Sequence, residues 1–139
     1  MSKPVRRDEL ADIAARWMAF WQGGSLDGFD EVHAPHFVDH SSSGRSPDRA
    51  GLAAGVRELY RAFPDFMAKT DVLVIDEVQQ LVTIRWTATG TCREPFMGVP
   101  ATGQAVDFTG IELIRIADGQ VVERWGEWDE GAILAQLRA

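Results

Sequence analysis

Residues 106–128 have the sequence VDFTGIELIRIADGQVVERWGEW. Two strand-length runs of β-branched and apolar residues, 106–116 and 120–128, flank the pair Asp118-Gly119, and this pattern is typical of a β-hairpin. The second run ends in acidic residues set among tryptophans. Burial disfavours the charged form of a carboxyl group and raises its pKa toward neutrality, which suits the group to proton transfer. The hairpin therefore predicts a sheet and, at its end, a site for acid–base chemistry.

Hydrophobic patterning outside the hairpin predicts helices first and strands afterwards. Alternating apolar residues favour two further strands, 72–75 and 81–88, so that four strands, mostly joined by hairpins, are expected. Helical spacing predicts three helices before residue 66, over about 8–22, 25–32 and 47–63, and a short closing helix over 132–137. This order is typical of an α+β domain in which the helices pack on one face of a curved sheet.

Length and composition restrict the class of protein. The 139 residues fit a single domain over 1–139, and 45% hydrophobic residues with five Trp and seven Phe suffice for a core. A net charge of −7 argues against a phosphate-binding surface, so no nucleic-acid partner is expected. With Cys92 as the only cysteine, no internal disulfide can form. The sequence lacks a signal-peptide pattern and an apolar run of roughly 20 residues, so a soluble cytoplasmic protein without membrane contact is expected.

Several short motifs, taken together, resemble the SnoaL-like polyketide cyclase family. They are Gly90-Thr91, Phe96-Met97-Gly98-Val99-Pro100-Ala101-Thr102-Gly103, Asp118-Gly119, Glu123-Arg124-Trp125, Asp129 and Gln136-Leu137, with Phe37-Val38-Asp39-His40 and Phe63-Pro64-Asp65 in the first half. The resemblance spans nearly the whole chain. It implies the cone-shaped fold of the nuclear transport factor two superfamily, in which three N-terminal helices pack on a curved, mostly antiparallel sheet that encloses a pocket. It also implies a frequent homodimer through the outer face of the sheet.

The resemblance further implies an activity and a place for its catalytic group. Cyclases of this family close a ring by intramolecular aldol addition without a metal or organic cofactor, using an acid/base in the pocket. Their catalytic carboxylate lies just after the tryptophan of the last strand, which corresponds to Glu127 or Asp129 here because position 126 is glycine. The period of two puts both acids on the same side of the strand as Trp125, and this side is expected to line the pocket. Alternatively, the acids form a solvated strand end and the first turn of the closing helix.

Three further residues are candidates for polar roles in the pocket. Glu112 interrupts an apolar run on the neighbouring strand, so it is either a second pocket acid or an outward acid paired with arginine. Arg85 is expected to pair with Glu112 or to orient a pocket carboxylate, and Arg85 with Glu127 is a partial likeness to the Asp-Arg-Asp set of epoxide hydrolases on this fold. The resemblance places His40 at the pocket border, where the imidazole either donates to a substrate oxygen, relays a proton or is structural.

The remaining histidines, the cysteine and most aromatic residues are expected to have structural roles or to form the pocket wall. His33, His36 and His40 have a spacing that zinc sites use, but the chain turns at Ala34-Pro35, so no metal is expected. Cys92 lacks a clear neighbouring base and is expected to be a small buried hydrophobe. Most aromatic side chains are expected in the core, and an aromatic pocket wall is predicted from Trp17, Phe96 and Trp125.

These expectations combine into a cofactor-independent pocket enzyme of the SnoaL-like type. Glu127 or Asp129 removes a proton next to the carbonyl group of a polyketide-like or other hydrophobic substrate. A second polar group, His40, Arg85 or Glu112, stabilises or protonates the developing oxyanion. The alternatives are an epoxide hydrolase or isomerase that uses the same carboxylate, and a non-catalytic module for small-molecule binding or dimerisation. A carboxyl group deep in the cavity distinguishes the enzymes from the binding module.

The strand pattern gives a second reason to expect a homodimer through the outer sheet face. Strand segments such as Val82-Ile84-Trp86 and Val122-Arg124 alternate so that one parity lines the pocket while the other still carries large apolar groups. Exposure of those groups to water would leave a patch larger than soluble monomers usually tolerate.

Overall fold

A computed structural model describes residues 2–139, which form four helices and one curved, five-stranded sheet. The predicted α+β class, with helices packed on a curved and mostly antiparallel sheet, is confirmed. The elements run in the order α1 (Arg7–Ala19), α2 (Phe29–Val32), β1 (His33–Asp39), α3 (Arg49–Ala62), β2 (Met67–Asp76), β3 (Leu81–Thr91), β4 (Ala105–Ala117), β5 (Gln120–Trp128) and α4 (Glu130–Arg138).

The two long helices, α1 and α3, each bury one face in the core. Leu10, Ile13 and Trp17 of α1 are buried at helical spacing, as are Leu52 and Val56 of α3. Among residues 2–139, no helix has both the length and the apolar character needed to cross a membrane.

Helix ends differ in detail from the sequence-based expectation. Asp48 accepts a hydrogen bond from the Gly51 backbone N–H at 2.9 Å, so α3 begins after Asp48 rather than at Ser46-Pro47. Asp129 caps α4 in the same way, with its Oδ1 3.0 Å from the backbone nitrogen of Ala132. The second helix is one turn of 4 residues and is shorter than the predicted segment.

The sheet has a fifth strand, β1, where the sequence predicts a break followed by a loop. The strand order is β1-β5-β4-β3-β2, and β1 pairs in parallel with β5. Pro35 lacks a backbone N–H, but β1 is an edge strand and its pairing is irregular between His33 and Val38, so the missing donor is tolerated. The strand matters for the site because its last residue, Asp39, pairs with Arg124 of β5.

The predicted hairpin at Asp118-Gly119 is confirmed as the link between β4 and β5. Both turn residues have positive φ, 51° and 75°, as a type I′ turn requires. The register shifts between Arg115 and Ile116, which leaves Val122 as the extra residue of a β-bulge. The bulge determines which of the following β5 side chains turn toward the interior.

This register decides which β5 side chains face the interior. Gly126 lies opposite Glu112, and Arg124 lies opposite Ile114. Glu112 and Ile114 are buried, and Arg124 has only 4% of its surface exposed. Opposite residues of an antiparallel pair share a face, so positions 124, 126 and 128 face the interior.

Trp125 and Glu127 therefore lie on the outer face, opposite Leu113 and Ile111 of β4. The prediction that this side of β5 lines the pocket is wrong for Trp125, whereas Glu127, near the end of the strand, also borders the interior cavity. Each side of β5 mixes charged and apolar residues, so hydrophobicity does not choose between them. Arg124 turns inward because buried carboxylates on neighbouring strands neutralise it there.

Candidate active site

A cavity of about 750 Å³ opens where β5 passes into α4. Its walls come from α3, the loops that follow β1 and β3, and the β5–α4 junction. Its size suits an organic ligand of several rings. The lining includes the polar residues His40, Ser41, Arg45, Arg124, Glu127 and Asp129 and the apolar residues Trp21, Phe96, Trp128 and Ile133.

A buried network of charges lies behind the cavity wall and reaches the cavity through Arg124. Arg124 donates from Nε to Oε1 of Glu112 at 2.7 Å, and from Nη1 to Asp39 at 3.1 and 3.2 Å. The other oxygen of Glu112 accepts hydrogen bonds from the indole N–H groups of Trp86 and Trp128, at 3.2 and 3.1 Å. One guanidinium is thus held between two carboxylates. We call Asp39, Arg124 and Glu112 the inner network.

Burial and pairing act in opposite directions on these groups. Burial raises the pKa of Glu112, and the charge of Arg124 and the three hydrogen bonds oppose the rise. Burial lowers the pKa of Arg124, but Glu112 and Asp39 outweigh it, so the net shift is upward. Arg124 therefore remains a cation inside the fold.

Gly126 is required by this network. A Cβ atom at position 126 would lie 2.4 Å from both Arg124 Nη2 and Glu112 Oε1. The resemblance implies a catalytic carboxylate directly after Trp125, which is position 126. The Glu112 carboxylate, from the opposite position on β4, approaches the space that a side chain at 126 would take.

The Nη2 group of Arg124 is not used by the inner network. The hydrogen bonds of Arg124 to residues 2–139 come from Nε and Nη1, and none comes from Nη2. Because Arg124 also lines the cavity, Nη2 is a cationic donor available to an oxygen atom there. Fixed donors of this kind stabilise negative charge that develops on a substrate.

The two predicted acids of the last strand lie at the cavity wall and are exposed. Asp129 is held in place, since its Oδ1 accepts from the Ala132 N–H and its own N–H donates to Thr109, both at 3.0 Å. The carboxylate of Glu127 accepts no hydrogen bond from residues 2–139, although its backbone pairs with Ile111. Both acids also border a groove on the outer sheet face, so they stand at the boundary between the two surfaces.

Arg85 and Trp125 do not line the cavity, contrary to expectation. They belong to the groove on the outer sheet face, together with Ile111 and Leu113. Arg85 is exposed and donates to Asp71 at 2.9 Å rather than to Glu112. Their positions follow from the outward parity of β3 and β5.

The other two predicted wall residues lie in different places. Phe96 lines the cavity. It forms a β-bridge with Val99 across a tight turn. Trp17 is fully enclosed and lines a separate inner void of about 10 Å³, beside Glu112 and Trp128. A void of this size holds at most about one water molecule.

The three histidines, His33 and His36 in β1 and His40 directly after it, have different surroundings. His33 is completely buried, accepts from the Trp17 indole N–H at 3.1 Å and contacts the Phe29 carbonyl oxygen at 2.8 Å through Nδ1. His36 is exposed, and His40 lies at the cavity rim. Within residues 2–139, no three side chains of the His, Cys, Asp and Glu types lie close enough to hold a metal ion.

The sequence-based candidates omit three charged residues around the inner wall of the site: Asp39, Arg45 and Arg124. The sequence marks Arg124 only within the motif Glu123-Arg124-Trp125 and the alternating segment Val122-Arg124. The signal that points to it is an arginine on the strand paired with Glu112, since two opposite charges on adjacent strands neutralise each other when both turn inward. Asp39 and Arg45 carry no such local signal, because Asp39 lies 85 positions from Arg124 in the sequence and Arg45 joins the network only through Asp39, at 3.7 Å.

Comparison with known proteins agrees with the geometry. A family model described as SnoaL-like polyketide cyclase matches residues 11–137. No curated protein matches the chain. The chain therefore belongs to the SnoaL-like polyketide cyclase family.

Solved structures of similar proteins share the fold over nearly the whole chain. IdmH, a candidate polyketide cyclase from Streptomyces antibioticus, is 32% identical, with 94% of this chain and 99% of that chain covered and a TM-score of 0.81. AclR, a candidate hydroxylase from Streptomyces galilaeus, is 28% identical, with 96% and 83% covered and a TM-score of 0.84. TsrD from Streptomyces laurentii, at 22% identity, 96% and 97% coverage and a TM-score of 0.86, shows the fold alone.

Proposed function

We propose that this member of the SnoaL-like family is a cofactor-independent enzyme that closes a ring by intramolecular aldol addition. Its substrate is a hydrophobic, polyketide-like compound with at least two carbonyl groups. The observation that carries the proposal is the Arg124 guanidinium, which lines the cavity, is held by two buried carboxylates and has no hydrogen bond from Nη2 to residues 2–139. Such a fixed cation suits the charge that develops on a carbonyl oxygen when the neighbouring carbon loses a proton.

In the proposed reaction, Asp129 takes the proton from the carbon next to the first carbonyl group. Arg124 donates from Nη2 to the enolate oxygen that results. The enolate carbon then attacks the second carbonyl group, and the new C–C bond closes the ring. The cavity walls keep the substrate folded so that its two reacting carbons meet. Trp21, Phe96 and Ile133 supply apolar surface for this.

Asp129 is preferred to Glu127 as the base because its carboxylate is held in place. One oxygen is fixed by the Ala132 N–H, which leaves the other for a substrate. Glu127 is exposed, and its side chain can rotate about three bonds because its carboxylate has no hydrogen-bond partner within residues 2–139. A positioned base is more effective than a mobile one, since less entropy is lost on reaching the transition state.

The buried carboxylate favours an enzyme over a binding module. Glu112 has 2% of its surface exposed and lies directly behind Arg124 at the cavity wall. A binding site for an apolar ligand has no need of a buried ion pair, whose desolvation costs free energy. An enzyme gains from it, because Glu112 fixes the orientation of the cation that faces the substrate.

A hydrolase is the second candidate, favoured by the same inner network. A carboxylate–guanidinium–carboxylate set resembles the Asp-Arg-Asp arrangement of epoxide hydrolases, although it is built from Asp39, Arg124 and Glu112 rather than from Arg85 and Glu127. In that reaction one carboxylate activates water and the other group protonates the epoxide oxygen. Both carboxylates are buried, and the void beside Glu112 has about 10 Å³, so a substrate has to displace the aromatic side chains around it. The aldol reaction requires no such displacement.

The test is deuterium exchange into β-tetralone, a hydrophobic ketone, followed by NMR in deuterium oxide. The wild type is expected to accelerate exchange, also with a metal chelator present, and Asp129→Asn is expected to lower the rate at least about 10²-fold. Asparagine is a good N-cap, so α4 keeps its start and the loss reports on the carboxylate. Glu127→Gln is the matched control and is expected to keep the rate. A loss in Glu127→Gln alone would move the base to Glu127, and no acceleration by the wild type would overturn the proposal.

We also propose that two copies associate through the outer face of the sheet. Val72, Val74 and Ile111 are each at least half exposed on this face, at 50, 55 and 50%. They lie near an apolar groove that includes Leu113 and Trp125. Light scattering is expected to give twice the 15.4 kDa mass of one chain. A mass of one chain at micromolar concentration would contradict this.

A further inference from the structure

The cavity rim carries a second polar group, centred on His40, that the mechanism above does not use. His40 Nε2 lies 2.8 Å from Oε2 of Glu123. The other oxygen of Glu123 accepts from Arg115 Nε at 2.9 Å. Each oxygen of the carboxylate thus has its own partner. We call His40, Glu123 and Arg115 the rim network.

The imidazole ring is held in one orientation. It stacks on the indole of Trp125, with ring centroids 4.7 Å apart and 11° between the planes. The Arg115 guanidinium lies 5.9 Å from the centroid of the same indole. The backbone N–H of His40 donates to the Arg124 carbonyl oxygen at 2.9 Å. The outward position of Trp125 therefore supports a histidine at the rim rather than a ligand in the cavity.

The contact with Glu123 also sets the tautomer of His40. An ionised carboxylate only accepts hydrogen bonds, so Nε2 of His40 carries its hydrogen toward Glu123. In the neutral ring, Nδ1 is then the nitrogen with a free lone pair. No group in residues 2–139 forms a hydrogen bond with this nitrogen, and the residue lines the cavity. Nδ1 thus has no partner among the described residues, and His40 stands where the outer face of the sheet meets the cavity.

We propose that His40 is a catalytic residue that handles the proton of the second carbonyl group, and that Glu123 is its positioning residue. This inference rests on the aldol reaction proposed above. When the C–C bond forms, the second carbonyl oxygen becomes an alkoxide, and protonated His40 gives it the Nδ1 proton. Asp129 has by then received the proton from the broken C–H bond. Exchange of one proton each with water returns Asp129 to the carboxylate and His40 to the protonated ring.

Two probes separate the two halves of this reaction. Exchange of β-tetralone requires enolisation, which Asp129 and Arg124 perform. Retro-aldol cleavage of a naphthyl β-hydroxy ketone, which releases a fluorescent naphthaldehyde and acetone, also requires a base that takes the hydroxyl proton. By microscopic reversibility this base is His40.

The expected result is a selective loss of cleavage. His40→Gln is expected to lower the cleavage rate roughly 10²-fold, and the exchange rate much less. Glu123→Gln is expected to lower cleavage at least about tenfold. Without the carboxylate, the Nδ1–H tautomer of His40 is also populated, and its Nδ1 has no free lone pair. His36→Gln changes an exposed histidine of the same strand and is the matched control, expected to alter neither rate.

The outcomes distinguish this inference from the proposed function. Equal losses of cleavage and exchange in His40→Gln, or no loss at all, overturn the role of His40. A wild type that exchanges β-tetralone but does not cleave the hydroxy ketone overturns it as well. Exchange that does not depend on Asp129 or Glu127 overturns the proposed function instead.

Long-range proton–nitrogen NMR gives a readout without turnover. In the wild type, neutral His40 is expected as the Nε2–H tautomer, and Glu123→Gln is expected to produce a mixture of tautomers. The signals of His36 in the same spectrum are expected to remain unchanged. An Nδ1–H tautomer for His40 in the wild type contradicts the positioning role of Glu123.

Discussion

The inner network and the rim network each join an arginine–glutamate pair of β4 and β5 to a residue at or just after the end of β1, but in different surroundings. In the inner network, Asp39 and Glu112 are 2% exposed and Arg124 is 4% exposed. In the rim network, the side chains of His40, Glu123 and Arg115 are 37, 30 and 39% exposed. Neighbouring residues of β5, one turned inward and one outward, thus belong to two electrostatic environments.

The difference suits two kinds of chemistry. A buried ion pair is costly to disturb, so Arg124 keeps its charge and position while a substrate changes beside it. A half-exposed histidine exchanges protons with water and is suited to a step in which its charge changes. The fixed charge therefore lies inside and the proposed proton carrier lies at the rim.

The largest expected effect comes from removing one member of the inner network. In Glu112→Ala, Arg124 keeps only one carboxylate partner, and the indole N–H groups of Trp86 and Trp128 lose their acceptor. We expect the free energy of unfolding to fall by about 4 kcal/mol. Glu123→Ala makes the same change in the rim network and is expected to cost less than about 1 kcal/mol. Denaturant unfolding measures both. Equal losses would show that the two networks do not differ in the way described.

A second test compares the two ends of β1 through acid titration. Burial lowers the pKa of His33 from 6.5 to about 4. The unfolded chain therefore binds a proton below pH 6.5 that the folded chain does not bind until about pH 4, so stability is complete above 6.5 and falls as the pH drops toward 4. The 2.5-unit difference corresponds to about 3 kcal/mol. We expect His33→Gln to remove this part of the acid dependence in unfolding curves, and His40→Gln to leave it. An unchanged slope in His33→Gln would contradict the assignment.

The third test adds one methyl group to the inner network. Gly126→Ala places a Cβ 2.4 Å from Arg124 Nη2 and Glu112 Oε1, and we expect it to cost about 2 kcal/mol by forcing both groups to move. Gly131→Ala is the matched control, since the nearest atom to its Cβ lies at 3.8 Å and alanine favours the helix. Thermal unfolding of the two variants gives the comparison. A stable Gly126→Ala protein would mean that the network tolerates displacement.

The smallest expected effect is at the rim. Arg115→Ala removes the pair with Glu123 and the contact with Trp125, and is expected to cost less than about 1 kcal/mol. Salt screens exposed pairs, so the difference from the wild type is expected to shrink further in about 1 M salt. Denaturant unfolding at low and high salt measures this. A larger, salt-independent loss would place Arg115 among the groups that hold the sheet together.

The local patterns of the sequence predicted most of the fold. The α+β order, the Asp118-Gly119 hairpin and the closing helix depend on periodicity and turn residues that lie close together in the chain. The strand β1 could not be predicted in the same way. It contains Pro35, and its pairing partner lies in the last quarter of the sequence.

The site was less predictable because it depends on which face of β5 turns inward. Trp125 and Glu127 alternate with Arg124 and Gly126, and both sides have similar hydrophobicity. The choice is made by Glu112 and by a carboxylate on β1, which the local sequence of β5 does not contain. The outward position of Trp125 and Arg85 follows from that choice.

The pairing of β1 with β5 has a consequence for how the chain acquires its fold. Asp39 and Arg124 are 85 positions apart, and β1 has no other strand beside it. Closing such a long loop before any contact is gained is slow, so this edge of the sheet is expected to form late in folding. On the ribosome, β1 has no hydrogen-bonding neighbour until β5 has been synthesised. During that interval Asp39 stays hydrated, and the inner network is assembled only in the last stage of folding.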